Sequence, residues 1–192
     1  MDREVKLEFQ RDLFHSLGLA IPIGYCFFPK EVVLLGVLGA MVFYVGSDLL
    51  RLFHGGFRRF FYRLLGDKLL KDREQKNLIG SSYFLIGAFL ILLFFQREAV
   101  IPALFVACLS DIAASEVGSR WGKHRFRSSR SLEGSLAFFA SASVLIFILY
   151  PGPFLWGMAV SLVATLVEAL SVGVDDNLSI PLVTAGLLHL GL

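Results

Sequence analysis

Apolar residues fall in long blocks along this chain, separated by short polar segments. Seven blocks predict helices, near 13–29, 31–50, 78–95, 99–117, 134–150, 153–172 and 178–192. A helix that crosses a bilayer needs about 20 apolar residues, or somewhat fewer when short, so each block reads as a span. The first is short and carries Pro22 and Gly24, and the last has 15 residues. Residues 51–66 (RLFHGGFRRFFYRLLG) follow another rule. Leu52, Phe53, Phe57, Phe60, Phe61, Leu64 and Leu65 recur near helical spacing with arginines between them. That pattern predicts an amphipathic helix at an anionic membrane surface, within an interfacial segment 51–77.

Composition supports the same solvent. The chain has 192 residues, 56% hydrophobic and 18% charged, with 19 phenylalanines; soluble domains average about 25% charged. Mean hydropathy is +0.69. A folded chain of this size still exposes roughly a third of its unfolded surface. A soluble domain, a disordered tail and a nucleic-acid binder are therefore excluded. The expectation is one all-α integral membrane domain, 1–192, with about seven transmembrane helices. Cys26 and Cys108 sit in apolar blocks without metal-ligand spacing and read as small hydrophobes. The segment Met1 to Asp12 mixes acids with bases, unlike a signal peptide.

Placing the charges sets the sidedness. With seven spans, one face receives 16 of the 18 Lys and Arg residues, and the other receives only Lys30 and Arg97. Cytoplasmic loops carry the excess of Lys and Arg. The N-terminus, the 51–77 segment and the basic 118–133 loop are thus expected in the cytoplasm.

Carboxylates inside apolar spans are costly and call for pairing or function. Asp48, Asp111, Glu116 and Glu168 all lie in or at the ends of spans, toward the basic face. Arg51 is three residues from Asp48 and on the same helical face, so a local pair explains Asp48 as well as a functional role does. Asp111, Ser115 and Gly118 share a face at i, i+4 and i+7, while Glu116 points elsewhere.

The segment from Gly118 through Arg120, Gly122 and Lys123 to Arg130, Ser131, Glu133 and Gly134 follows. It does not match a Walker A loop in spacing or context. Glycines still let backbone N–H groups approach a polyphosphate, and Arg and Lys neutralise it. A loop that merely stops transfer explains the basicity but not the glycine spacing. Ser131 is placed to cap the following helix. In the third cluster, Glu168, Ser171 and Asp175 share a face, and Asp176 and Asn177 begin the last span. Capping by Asp176 or Asn177 explains one polar residue there, not three in a row. Oxygen ligands of these types suit Mg²⁺. Arg73 and Glu74 alone read as an ordinary solvated loop, and His15 as a minor candidate base. Carboxylates beside a basic glycine loop point to phosphate chemistry, in which a protein mainly positions groups and neutralises charge.

These residues resemble the polyprenol kinase family, which includes dolichol kinase, phytol kinase and CTP-dependent diacylglycerol kinase. The resemblance rests on Asp111…Gly118-x-Arg120-x-Gly122-Lys123…Arg130-Ser131-x-Glu133-Gly134-Ser135 and on Glu168-x-x-Ser171…Asp175-Asp176-Asn177-x-x-x-Pro181. Arg11…His15, Asp48-x-x-Arg51 and Arg73-Glu74…Gly80 extend it over most of the chain. Ser110 and Arg130 stand where the family often has Gly and Lys.

The resemblance implies a kinase that uses CTP as phosphoryl donor and an isoprenoid or glycerolipid alcohol from the bilayer as acceptor. It implies Asp111, Glu168, Asp175 and Asp176 as catalytic acids, with Asp111, Glu168 and Asp176 around Mg²⁺. Arg120, Gly122, Lys123, Arg130, Ser131, Glu133, Asn177, Arg73 and Glu74 would contact the nucleotide. A homodimer is compatible with it. Two other readings stay open: a CTP-dependent cytidylyltransferase acting on a lipid phosphate, and a non-enzymatic transporter or scaffold.

Overall fold

A computed structural model describes residues 17–65, 77–127, 130–170 and 174–192. Helices occupy all seven predicted positions, with edges moved by a few residues. They are α1 (Leu17–Phe27), α2 (Lys30–Phe53), α4 (Gly80–Phe94), α5 (Arg97–Trp121), α6 (Leu132–Leu149), α7 (Phe154–Leu170) and α8 (Asp176–Leu190). Between α2 and α4 lies α3 (Gly55–Leu65). An antiparallel pair, β1 (Arg125–Arg127) and β2 (Arg130–Ser131), joins α5 to α6. By length and composition α2, α5 and α6 suffice to cross a membrane, and α1, α4 and α7 are shorter apolar helices.

The helices pack through small residues. Ala88, Ala99, Ala103, Ala142, Ala164 and Ala185 are fully buried beside Ile91, Leu104, Phe138 and Leu188. Small side chains let apolar helices approach where lipid gives no hydrophobic push between them. In this bundle α8 packs against α4, α5 and α7, α6 packs against α5 and α7, and α2 lies on α4. The outer faces are apolar instead: Phe43 and Phe147 are 70% exposed and Leu155 is 80% exposed. Large apolar groups at that density face lipid, not water.

The two ends of the bundle differ as the charges require. At one end the turns after α1, α4 and α6 meet the end of α8. There Arg97 Nη2 donates to the Cys26 carbonyl at 2.6 Å, and Lys30 Nζ donates to the Leu93 carbonyl at 3.3 Å. Tyr150 Oη donates to Leu188 O at 3.0 Å, and Trp156 Nε1 donates to Leu187 O at 2.8 Å, satisfying carbonyls at the C-terminus of α8. The other described Lys and Arg residues lie toward the opposite end, with the acids of interest on its side of the bundle.

Three local features depart from expectation. First, 51–66 is not one surface helix. α2 continues to Phe53 and α3 starts afresh at Gly55, where His54 Nδ1 accepts from Phe57 N at 3.2 Å. Arg51 is wholly buried and donates through Nε to Asp48 Oδ1 at 3.1 Å. Asp48 Oδ2 also accepts from Ile79 N at 2.8 Å and Ser82 Oγ at 2.6 Å, and Arg51 Nη2 donates to Asn77 O at 2.7 Å. The local pair is thus the centre of a buried clamp that fixes the start of α4 against the end of α2.

Second, α5 runs past the expected boundary, so Gly118 to Trp121 are helical and the 118–133 segment is only partly loop. Arg120 pairs with Glu116 one turn back, which supports this extra turn. Third, Val106–Ser110 within α5 is a π-helical segment. Such a widened turn re-aims every side chain after it and is frequent at functional sites. Asp111 is the first residue beyond it.

Candidate active site

The hairpin brings Arg130 beneath two helix starts. α6 begins at Leu132, where Ser131 Oγ accepts from Gly134 N at 3.1 Å, so Ser131 is the cap that its residue type predicts. α8 begins at Asp176, but its cap is Asp175 and not Asp176 or Asn177. Asp175 Oδ1 accepts from Asn177 N at 3.1 Å and from Asn177 Nδ2 at 2.8 Å. Asp176 Oδ1 accepts from Asn177 N as well, at 3.1 Å. Both helix N-termini carry partial positive charge toward the basic end.

Between them, Arg130 Nη1 pairs with Glu168 Oε1 and Arg130 Nη2 pairs with Asp176 Oδ2. Glu168 lies in the last turn of α7, two residues before its end, and is 2% exposed, while Arg130 is 15% exposed. Ser135 Oγ, on α6 one turn after Ser131, donates to Glu168 Oε2 at 3.1 Å. Both carboxylate oxygens of Glu168 are therefore engaged. Ser135 was not among the residues singled out for a role, although the i, i+4 repeat of Ser131 and Ser135 at the head of an apolar helix marks it.

Three glycines hold this corner together. A Cβ on Gly134 would stand 2.9 Å from the Ala114 carbonyl oxygen and 3.3 Å from Gly118 Cα. A Cβ on Gly118 would stand 3.2 Å from Ser131 Oγ, and one on Gly122 would meet Gly118 O and Ser131 Oγ. Gly118, Gly122 and Gly134 thus let α5 and α6 touch around Ser131. Their first duty is close packing that presents the hairpin.

Glu133 turns outward to His124, accepting from its N–H at 3.3 Å and lying 2.7 Å from its Nδ1. Leu132 N donates to His124 O at 3.0 Å, and Arg125 Nη2 donates to Gly118 O at 3.3 Å. These contacts tie the hairpin to the end of α5. Arg120 and Lys123 are exposed beside it. Arg73, Glu74, His15 and Ser171 lie outside the described residues.

Asp111 sits deeper. Its neighbour Ser110 is buried, with Oγ 3.2 Å from Ser141 Oγ. Ser141 is six residues along α6 from Ser135, about 9 Å of helix. Asp111 thus lies on the membrane side of the Glu168 and Asp176 pair, in the half of α5 nearer the basic end. Among the described residues no group of three or more His, Cys, Asp or Glu side chains is arranged to hold a metal ion. Arg130 stands between Glu168 and Asp176, so these two carboxylates share a guanidinium where a cation would bind. What the corner offers chemically is a cationic group and two helix N-termini facing the aqueous side, with carboxylates below.

No protein-family model and no solved structure matches the chain. Among curated proteins it is 29% identical to CTP-dependent diacylglycerol kinase 1 of Schizosaccharomyces pombe, over 75% of this chain and 74% of the relative. It is 27% identical to the dolichol kinase of the same yeast, over 92% of this chain and 38% of that larger protein. It is 31% identical to a probable chloroplastic phytol kinase 2 of Glycine max, over 63% of this chain and 48% of the relative.

Proposed function

Because the chain belongs to the polyprenol kinase family, we propose that it is a CTP-dependent lipid-alcohol kinase. It transfers the γ-phosphoryl group of CTP to the hydroxyl of a polyprenol, another isoprenoid alcohol or a diacylglycerol. All seven apolar helices cross the bilayer, and the site opens at the cytoplasmic face. The single observation that carries this reading is the Arg130 corner: one guanidinium with Glu168 and Asp176, between the N-termini of α6 and α8.

The chemistry follows from the placement. The triphosphate arrives from the aqueous side, where Arg130, Arg120, Lys123 and the two helix starts neutralise it. The acceptor arrives sideways from lipid with its hydroxyl rising past Asp111. The hydroxyl oxygen attacks the γ-phosphorus, the bond to the β,γ-bridging oxygen breaks, and CDP leaves. The hydroxyl proton passes to a carboxylate, for which Asp111 on the lipid side is the best placed. Ser135 holds Glu168, and Asp175 with Asn177 shapes the start of α8 that faces the phosphates.

The test is incubation of the purified, detergent-solubilised chain with γ-labelled CTP and separate acceptors: dolichol, phytol, geranylgeraniol and diacylglycerol. Label should appear in a lipid phosphate, with release of CDP. With a lipid phosphate added as acceptor, release of the label as pyrophosphate and no labelled lipid would instead mark a cytidylyltransferase. No CTP turnover with any acceptor would remove the kinase reading.

A further inference from the structure

Arg130 has two anionic partners at once. Its planar fork sets Nη1 on Glu168 and Nη2 on Asp176, and its head is largely buried. A divalent cation bound by the same two carboxylates would have to stand where the guanidinium stands. Two cations do not share that space. Glu168 is nearly wholly buried, its second oxygen is taken by Ser135, and a buried carboxylate left without a counter-charge is strongly disfavoured. The carboxylates therefore do not give up Arg130 unless another cation replaces it, or unless a stronger anion draws it away.

We infer that in the nucleotide-free protein the Glu168 and Asp176 pair is a guanidinium site closed to divalent cations, and that a nucleoside triphosphate opens it by drawing Arg130 onto its phosphate oxygens. Phosphate suits the exchange, because it accepts the same bidentate fork and carries more charge than a carboxylate. Nucleotide and divalent cation then favour each other's binding, and the coupling is reciprocal by linkage. The opening half rests on the CTP reading above; the closed half rests only on the ion pairs.

Manganese(II) is the probe, followed by electron paramagnetic resonance on the full chain in detergent without nucleotide. Wild-type protein should show no stoichiometric site. Arg130→Gln should gain one at least about tenfold tighter than any wild-type binding, and Arg130→Gln with Glu168→Gln should lose it again. Stoichiometric manganese binding to the wild-type protein overturns the closed pair, whatever the variants do.

The second measurement is calorimetry of CTP binding in EDTA, which needs no loss of Arg130. Asp176→Asn loosens the hold on Arg130 and should bind metal-free CTP up to about tenfold more tightly than wild type. Unchanged or weaker binding overturns the opening step. The manganese titration contains neither CTP nor acceptor, so a failed kinase assay and a failed closed pair are distinguishable results.

Discussion

Ser135 Oγ stands 3.1 Å from Glu168 Oε2, and this contact ties the first turn of α6 to the end of α7. It also explains why the carboxylate keeps one orientation while its other oxygen pairs with Arg130. Ser135→Ala removes one hydrogen bond to a charged group, a loss of about 1.5–3 kcal/mol. Turnover should fall at least about tenfold with the protein still folded. Comparing kcat with KM for CTP locates the loss: a positioning role lowers kcat, and Ser135→Thr restores part of it.

Asp111→Asn and Asp176→Asn should each reduce phosphoryl transfer by at least about a hundredfold, the scale of a lost acid–base group. Both keep size and hydrogen-bonding shape, so gel filtration and melting temperature should hold. Retained transfer of label from γ-labelled CTP in either variant removes that residue from the chemistry.

The Asp48 and Arg51 clamp is structural by its geometry. Arg51→Met leaves a buried carboxylate with no cation and should destabilise the protein by about 3–5 kcal/mol. Asp48→Asn with Arg51→Met removes both charges and should recover a large part of that loss. Thermal inactivation in detergent reads the ranking: Arg51→Met lowest, the double variant intermediate, wild type highest.

Glycines at two places should answer oppositely to alanine. Gly134→Ala drives a methyl group against the Ala114 carbonyl and Gly118, and should destabilise by about 1–3 kcal/mol. Gly39 in α2 has nothing within 4 Å of an added Cβ. Gly39→Ala should therefore stabilise by up to about 1 kcal/mol through helix propensity. Denaturant unfolding of the two variants side by side measures the difference in sign.

Arg58→Ala on α3 tests the surface helix. α3 sets arginines beside Phe57, Phe60 and Phe61, and Phe60 is exposed. The preference of the reconstituted protein for anionic over neutral lipid should weaken by about 1 kcal/mol per arginine lost near the surface, with transfer retained in well-inserted protein. Complete loss of transfer would place this arginine in the site.

The seven helices were legible because long apolar blocks between short polar segments survive any detail of packing. Ser131 was legible because an N-cap depends on a residue and its next three neighbours. Arg130 was legible as a cation but not as a counter-ion. Its partner Asp176 is 46 residues away, and such pairings leave no local period. The cap of α8 was misplaced by a residue, because Asp175, Asp176 and Asn177 are all competent caps and only the backbone at Asp175 decides. The Asp48 and Arg51 pair was legible from its three-residue spacing, but the burial of Arg51 was not, since the pattern over 51–66 places arginines on a surface stripe. Arg73 and Glu74 fall outside the described residues.

The widened turn at Val106–Ser110 has a consequence for how this chain tolerates insertion and deletion. Regular α-helix drawn through the same residues, with no bulge to take up the extra one, would rotate everything beyond it by about 100°. Asp111 and Gly118 would swing off the α6 side together, and the glycine contact with Gly134 would go with them. A one-residue deletion elsewhere in α5, between Arg97 and Phe105, would rotate the same groups and could be absorbed by unwinding this bulge. The segment acts as a phase adjuster, letting the first half of α5 bury Ala99, Val100, Ala103 and Leu104 inside the bundle while Gly118 still meets α6 beside Gly134.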